Sequence, residues 1–221
     1  MALASFLAAG IAAATPGGSY EPKVGDLATA WVRTAIPGKG AEVRKVMKGH
    51  FEPALKSDEI VGDAYLLVDE KESEFLSFRF NAPVHGNKSP HLSTIEKKLK
   101  GLVQGPAKIS TYKLVLAVND DFAAKDGDKV VAVNWQVKKG KLEQAEAIYR
   151  DQLVPAAKAD SFKRAYLLLE DAVNNVLIGV TIQKGDVLSD PKVSEKRTLL
   201  DPLMEKPARQ VTYTLYHFSD E

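Results

Sequence analysis

The sequence repeats itself at a nearly constant offset, and this restricts the fold more than any single motif does. Residues 64–67 (AYLL) recur 101 positions later as residues 165–168. Upstream matches, such as Gly38-Lys39 with Gly140-Lys141, lie 102 positions apart, so a single one-residue deletion reconciles the two sets. Four consecutive identities at one constant offset indicate an internal duplication, and such repeats decide the architecture.

The matches divide the 221 residues into four parts. We expect a leader-like segment and spacer over 1–22, a first repeat over 23–118, a linker over 119–128 and a second repeat over 129–221. The linker (NDDFAAKDGD) is acidic, contains Gly127 and lacks hydrophobic periodicity, as a connecting segment should.

Each repeat shows the same order of predicted elements. Alternating β-branched and aromatic residues predict strands, and apolar residues at 3.6 spacing predict helices. The expected strands are 29–36, 63–69, 74–81 and 109–118 in the first repeat, and 129–137, 164–170, 175–183 and 211–218 in the second. The second helix is expected to open at the capping box Ser93–Glu96 in the first repeat and at Asp190-Pro191 in the second.

The order β-α-β-β-α-β, found twice, predicts an α+β fold made of two ferredoxin-like units. Apolar residues lie on both faces of the predicted strands, so each sheet needs a second cover besides its helices. We expect the two sheets to cover each other and to close, or nearly close, into one intramolecular barrel. Neither repeat is then expected to be an independent domain.

Composition excludes several classes of function. The 30 Lys and Arg residues balance 29 Asp and Glu residues, so no net field attracts nucleic acid. The absence of Cys excludes disulfides, thiolate metal sites and a Cys nucleophile.

The first 14 residues carry no charged side chain. Their apolar stretch, from Leu3 to Ile11, is shorter than the ~20 residues that span a membrane. The run Ala12-Ala13-Ala14 resembles a signal-peptidase site, which predicts an exported protein, periplasmic or secreted. The alternatives are an N-terminal helix docked on the domain and a cytoplasmic location.

Residues 30–44 (AWVRTAIPGKGAEVR) and 133–146 (VNWQVKKGKLEQAE) each combine a strand, a Gly turn and an amphipathic helix. With the tandem element order, they resemble the antibiotic-biosynthesis-monooxygenase-like group of the dimeric α/β-barrel superfamily. The resemblance implies a small hydrophobic or aromatic ligand in the barrel and a cofactor-independent monooxygenase-like oxidoreductase. That family builds its barrel from two chains. Here one chain holds both halves, which is compatible with a monomer and leaves further dimerisation open.

Haem binding is a third hypothesis, because the superfamily includes haem-degrading and chlorite dismutase-like proteins. Asn134 matches the Asn on the first strand of the haem degraders, while their Trp and His have no counterpart here. His85 and His91 flank the loop 83–90 and are candidate haem ligands or general bases; the alternative is an ordinary surface loop. Two His residues six apart without a carboxylate make a poor metal motif, so no metal site is predicted.

The other candidate ligand-binding residues lie on predicted strands. Asn134 and Gln136 share one strand face and are suited to orient a ligand carbonyl or hydroxyl, unless that face is exposed. Arg33, on the face shared with Trp31, is suited to bind a carboxylate, unless it is a core-edge Arg that reaches solvent. Arg79 is either an anion anchor or a solvent-facing charge. No catalytic residue is assigned, and the alternative function is an exported, non-catalytic binding or structural protein.

Overall fold

The structure is a computed structural model that describes residues 22–56, 64–80, 90–118, 124–158, 163–184 and 191–218. Its strands are β1 (Leu27–Thr34), β2 (Ala64–Asp69), β3 (Glu74–Phe80), β4 (Lys108–Val118), β5 (Lys129–Gln136), β6 (Lys163–Asp171), β7 (Val176–Gln183) and β8 (Arg209–Phe218). Its helices are α1 (Gly40–Lys56), α2 (Pro90–Leu99), α3 (Leu142–Ile148), α4 (Val154–Lys158) and α5 (Pro191–Arg197). A π-helical segment, Tyr149–Leu153, joins α3 to α4, and a 3₁₀ segment, Thr198–Leu203, follows α5.

The eight strands form a closed barrel in the order β1-β3-β2-β8-β5-β7-β6-β4. All neighbouring strands are antiparallel. The β2–β8 seam runs without interruption from Ala64 opposite Phe218 to Asp69 opposite Tyr213. The β4–β6 seam contains a register shift between Leu114 and Leu116. The expected α+β fold with a closed barrel is confirmed.

The barrel interior is occupied by packed apolar side chains. Alternate residues of every strand point inward, and the inward set forms one buried cluster. Tyr65 stacks on Phe78 with ring centroids 4.9 Å apart. The buried members of the cluster are Ala28, Ala30, Tyr65, Leu67, Phe78, Phe80, Leu114, Ala124, Val130, Ala165, Leu167, Leu169, Val180, Ile182, Tyr213 and Leu215. This packing favours a ligand site on the outer side of the sheet, where the helices lie.

Two further cores lie between the barrel and its helices. We call β1–β4 with α1 and α2 the first half, and β5–β8 with α3, α4 and α5 the second half. Val43 and Met47 of α1 and Leu99 of α2 are fully buried in the core of the first half. Trp135 and Tyr149 belong to the core of the second half. Each half therefore has a sheet between two apolar layers.

The same backbone hydrogen bonds recur in both halves. The Gly25 amide donates to the Leu114 carbonyl at 2.8 Å, and Gly127 donates to Leu215 at 2.9 Å. Both glycines have a positive φ, 100° and 86°, a conformation that favours glycine. The Ala35 and Val137 amides also donate to matching carbonyls, of Ser73 and Asn175, both at 2.8 Å. Equivalent turns therefore lead into and out of the first strand of each half.

The helices differ from the sequence prediction in two places. Helix α2 begins at Pro90 rather than at Ser93, since Pro is well tolerated at the first helical position, where no backbone donor is needed. The helix predicted after β5 contains a π-helical segment directly before Val154-Pro155. Pro155 has no backbone N–H to donate to the carbonyl four residues earlier, and a wider turn relieves the associated clash.

Several predictions fall outside the described residues: the leader over 1–21, His85 in its loop, and the first part of the linker. Among the residues that are described, no helix has the length and the hydropathy needed to cross a membrane.

Candidate functional site

The outer face of the sheet in the first half carries polar side chains beneath its helices. Thr29, Arg33 and Ser77 are 7%, 3% and 5% exposed. Trp31 lies between Thr29 and Arg33 on the same face and opposite Ser77, while Arg79 lies opposite Thr29. We call these five residues of β1 and β3 the polar strip. Buried polar groups carry a desolvation cost unless they are hydrogen-bonded, so their accumulation on one face requires an explanation.

An ion pair fixes one end of the polar strip to helix α2. The Arg33 guanidinium donates from Nη2 at 2.7 Å and from Nε at 3.1 Å, and both bonds go to Oε1 of Glu96. The Arg33 side chain is 2% exposed and that of Glu96 is 34% exposed. Within the part of the chain that the structure describes, the second carboxylate oxygen of Glu96, Oε2, accepts no hydrogen bond.

The Trp31 indole lies in the middle of the polar strip. Its Nε1 atom is inaccessible to solvent and has no hydrogen-bond partner among the described residues. Nearly all buried donors in folded proteins have a partner, so an orphaned indole N–H is informative. The Trp31 ring as a whole is only partly buried. Trp31 therefore combines an accessible ring with a donor that lacks an acceptor.

One margin of the polar strip is open to solvent. Leu27 on β1 and Ile109 on β4 are each 44% exposed on the outer face that Trp31 shares. Thr111 is exposed beside them, and its Oγ1 lies 3.4 Å from Oγ1 of Thr29. The outer face of β4 is thus an accessible flank of the site, with the apolar Ile109 directly opposite Trp31.

The equivalent layer of the second half is closed by aromatic side chains. Val131, Val133 and Trp135 occupy the positions 102 residues after Thr29, Trp31 and Arg33. The Trp135 and Tyr149 rings meet edge to face with centroids 5.2 Å apart. Gly179 lies opposite Val133 as Ser77 lies opposite Trp31, and a Cβ atom at Gly179 would overlap the Tyr149 hydroxyl. The glycine is what allows these rings to pack against β7.

The two tyrosines of this second layer have raised pKa values because they are buried. Burial raises the pKa of Tyr166 to about 12. Burial also raises the pKa of Tyr149 well above its ordinary value, with a smaller contribution from the neighbouring Tyr166. Arg197 of α5, at the position equivalent to Glu96, donates to Gln210 at 3.1 Å. The second half therefore has a cation at the position where the first half has the Glu96 carboxylate.

Asn134 and Gln136 lie apart from the polar strip, at one end of the barrel. They continue the inward face of Val130 and Ala132, but Asn134 is exposed and Gln136 Nε2 donates to the Asn174 carbonyl at 2.7 Å. The barrel ends there, so the inward face meets solvent.

A contact between side chains of the two halves lies at the same end of the barrel. Glu74 of β3 accepts from Arg209 Nη2 at 2.7 Å and from the Tyr213 hydroxyl at 2.5 Å. Burial, followed by the hydrogen bond to the Glu74 carboxylate, raises the pKa of Tyr213 far above its ordinary value. We regard Glu74, Arg209 and Tyr213 as a structural clasp between β3 and β8, because their hydrogen-bonding groups pair with one another.

The sequence-predicted residues therefore fall into separate places. Arg33 and Arg79 share the polar strip, whereas Asn134 and Gln136 lie at the barrel end. His85 lies outside the described residues, and of His91 only the backbone, in α2, is described. The sequence analysis did not identify Glu96 as a site residue, because its position in the predicted capping box was enough to account for it. Among the described residues, no cluster of His, Asp and Glu suitable for a metal is present.

The comparisons with known proteins find similar folds among solved structures. No known family matches the chain, and no curated protein has a similar sequence. Among solved structures, a candidate monooxygenase from Fusobacterium nucleatum has a TM-score of 0.70 at 9% identity, over 89% of this chain and 95% of that one. An anthrone oxidase-like protein has a TM-score of 0.61 at 12% identity, over 88% and 93%.

A third solved structure comes from Listeria monocytogenes. It is a ferredoxin-fold protein related to antibiotic biosynthesis monooxygenases, with a TM-score of 0.50 at 11% identity over 86% of this chain and 94% of that one. At such identities the similarity establishes the fold alone, and the chemistry has to be inferred from the residues of the site. The structural neighbours thus agree with the sequence resemblance at the level of fold.

Proposed function

We propose that the first half binds a small aromatic molecule against the polar strip, between the sheet and α2. We further propose that the protein is a monooxygenase-like oxidoreductase that works without a bound cofactor. The observation that carries the binding proposal is the buried Trp31 Nε1, a donor with no acceptor among the described residues. A ligand oxygen would satisfy this donor while the ligand ring packs on the exposed Ile109, which lies opposite Trp31.

We also propose that the two halves are duplicated ferredoxin-like repeats, 23–118 and 129–221. The paired hydrogen bonds at Gly25 and Gly127 support this, as do the matching strand orders β2-β3-β1-β4 and β6-β7-β5-β8. In this interpretation the second repeat has filled its own layer with Trp135 and Tyr149. The chain then carries one ligand site, so we expect one ligand per chain.

The proposed reaction is suggested by the names of the structural neighbours. One of them is named an anthrone oxidase-like protein, and anthrone is a suitable probe. Anthrone and O₂ yield anthraquinone and water; the ring methylene loses two hydrogens and gains one oxygen, and the second oxygen atom leaves as water. The protein's task in such a reaction is to hold the aromatic ketone, accept its acidic proton and exclude water.

Binding is tested first, by calorimetric titration of 1-naphthol. We expect one ligand per chain, and we expect Trp31→Phe to weaken binding about fivefold or more, because it loses the indole donor. Trp135→Phe, in the closed second half, is the matched control and should bind as the wild type does. Equal binding by Trp31→Phe and the wild type would refute the site.

Catalysis is tested separately, by O₂ consumption and anthraquinone formation with anthrone. The packed barrel interior favours a second candidate, an exported ligand-binding or structural protein without catalytic activity. Naphthol binding together with O₂ uptake no faster than in buffer would select this second candidate. A rate above buffer that falls in Trp31→Phe supports the enzyme.

A further inference from the structure

We propose that Glu96 accepts a hydrogen bond from a hydroxyl group of the ligand, and that Arg33 is the residue that positions it. The preferred ligand class is then a hydroxylated aromatic, rather than an aromatic carboxylate or ether. This inference rests on the binding site proposed above and adds the group that the site recognises.

The hydrogen bonds of the ion pair leave one carboxylate oxygen available. Nε and Nη2 of Arg33 both bind Oε1 of Glu96, and a guanidinium buried at 3% exposure has little freedom to change partner. Oε2 accepts no hydrogen bond among the described residues, and the Glu96 side chain is 34% exposed. Arg33 therefore holds the carboxylate by one oxygen, and the other remains able to accept from a ligand.

The Trp31 donor and the Arg33 residue that holds this acceptor are neighbours on one face of β1. Arg33 and Trp31 are two residues apart on β1 and share its outer face, so their Cα atoms are about 6–7 Å apart along the strand. A single ligand hydroxyl that lies between the two residues would accept from the Trp31 N–H and donate to the Glu96 carboxylate.

The charges of the pair select a neutral hydroxyl. A guanidinium and a carboxylate cancel, so the pair offers no net attraction to an anionic ligand. An ionised carboxylate accepts hydrogen bonds and donates none, which excludes an ether or a second carboxylate as its partner. A phenolic hydroxyl fits, because hydrogen bonds to ionised acceptors are shorter and stronger than neutral ones.

The second half provides an internal comparison. Arg197 replaces Glu96 at the equivalent position, and Trp135 replaces Arg33. Neither the acceptor nor the residue that positions it is present there. Selection for a hydroxyl group is therefore expected to belong to the first half alone.

The test compares 1-naphthol with 1-methoxynaphthalene by calorimetric titration of the full-length protein. The two probes differ by one methyl group, and only naphthol donates a hydrogen bond. We expect the wild type to bind naphthol about tenfold or more tightly, in line with a hydrogen bond to a charged group. In Glu96→Gln the single amide oxygen pairs with Arg33 and the NH₂ group faces the ligand. The preference should then fall to about one, because the oxygens of both probes can accept from the amide NH₂ group.

Controls separate this inference from the proposed function. Glu195→Gln, on the exposed face of α5, should keep the wild-type preference. If Glu96→Gln fails to fold, Arg33→Met/Glu96→Gln removes the whole ion pair, which is tolerated better than breaking it, and the preference should still be lost. Equal binding of both probes by the wild type would overturn the role of Glu96 and leave the site standing. Binding of neither probe would overturn the site itself.

Discussion

Gly179 is the position where the packing of the second half is most sensitive to a single added methyl group. An alanine Cβ there would overlap the Tyr149 hydroxyl, and it would lie 2.8 Å from Tyr149 Cζ and 2.9 Å from Trp135 Cζ3. Trp135 and Tyr149 are 2% and 1% exposed, so neither ring has free space to move into. Close-packed interiors resist such insertions, which commonly cost about 1–3 kcal/mol.

We therefore expect Gly179→Ala to lower the free energy of unfolding by about 2–3 kcal/mol, near the upper end of that range, because two rings must shift together. For a chain of this size that corresponds to a Tm lower by roughly 4–12 °C. Urea unfolding followed by circular dichroism gives the free energy, and differential scanning calorimetry gives the Tm.

The matched control is Gly49→Ala in helix α1, where an added Cβ meets nothing within 4 Å and no positive φ is involved. Alanine is the better helix former by about 0.5–1 kcal/mol, so this variant should be more stable than the wild type. The reasoning is refuted if Gly179→Ala is as stable as the wild type while Gly49→Ala is more stable. That result would show that the Trp135–Tyr149 layer is loosely packed.

Two further predictions concern buried tyrosines. Tyr213→Phe removes the hydrogen bond to Glu74 and should lower the free energy of unfolding by about 1–3 kcal/mol, measured in urea. Tyr112→Phe, at the equivalent position of the first half, should change it by less than about 0.5 kcal/mol, and equal effects would contradict the clasp. The pKa of Tyr166 is raised from 10.0 to about 12, so the folded state keeps a proton that the unfolded state loses. Tyr166 should therefore contribute about 2–3 kcal/mol to the loss of stability as the pH rises from about 10 to about 12, in addition to the losses from Tyr149 and Tyr213. Urea midpoints across this interval measure the loss, and an unchanged slope in Tyr166→Phe would contradict the assignment.

The strands were predictable because their signal is local. Alternation of β-branched and aromatic residues located all eight within about two residues of their observed ends. Closure of the barrel was also predictable, since apolar residues on both faces of each strand require two covers. The π-helical segment was not, because the pattern around Pro155 fits an ordinary helix and the wider turn depends on how Tyr149 packs against β7.

The candidate site was less predictable than the fold. Arg33 and Glu96 are 63 residues apart, and periodicity contains no signal for a contact between a strand and a later helix. Alternation placed Asn134 and Gln136 on one strand face, but it does not show where along a strand the barrel ends and solvent begins. A comparison of the two halves was the signal that was available. Arg33 aligns with Trp135, and Glu96 aligns with Arg197, so the cation and the carboxylate of the first half correspond to an aromatic residue and a cation in the second.

The β2–β8 seam has a consequence for how the chain reaches its native state. Ala64 pairs with Phe218, so this part of the barrel joins segments separated by about two thirds of the chain. Contacts between segments so distant in sequence are slow to form, because the loop entropy is lost before the pairing is gained. During synthesis β2 has no partner on one side until β8 has been made, and its hydrogen-bonding groups stay available to other chains. The step most exposed to misassembly is therefore the last one, when β8 is inserted between β2 and β5.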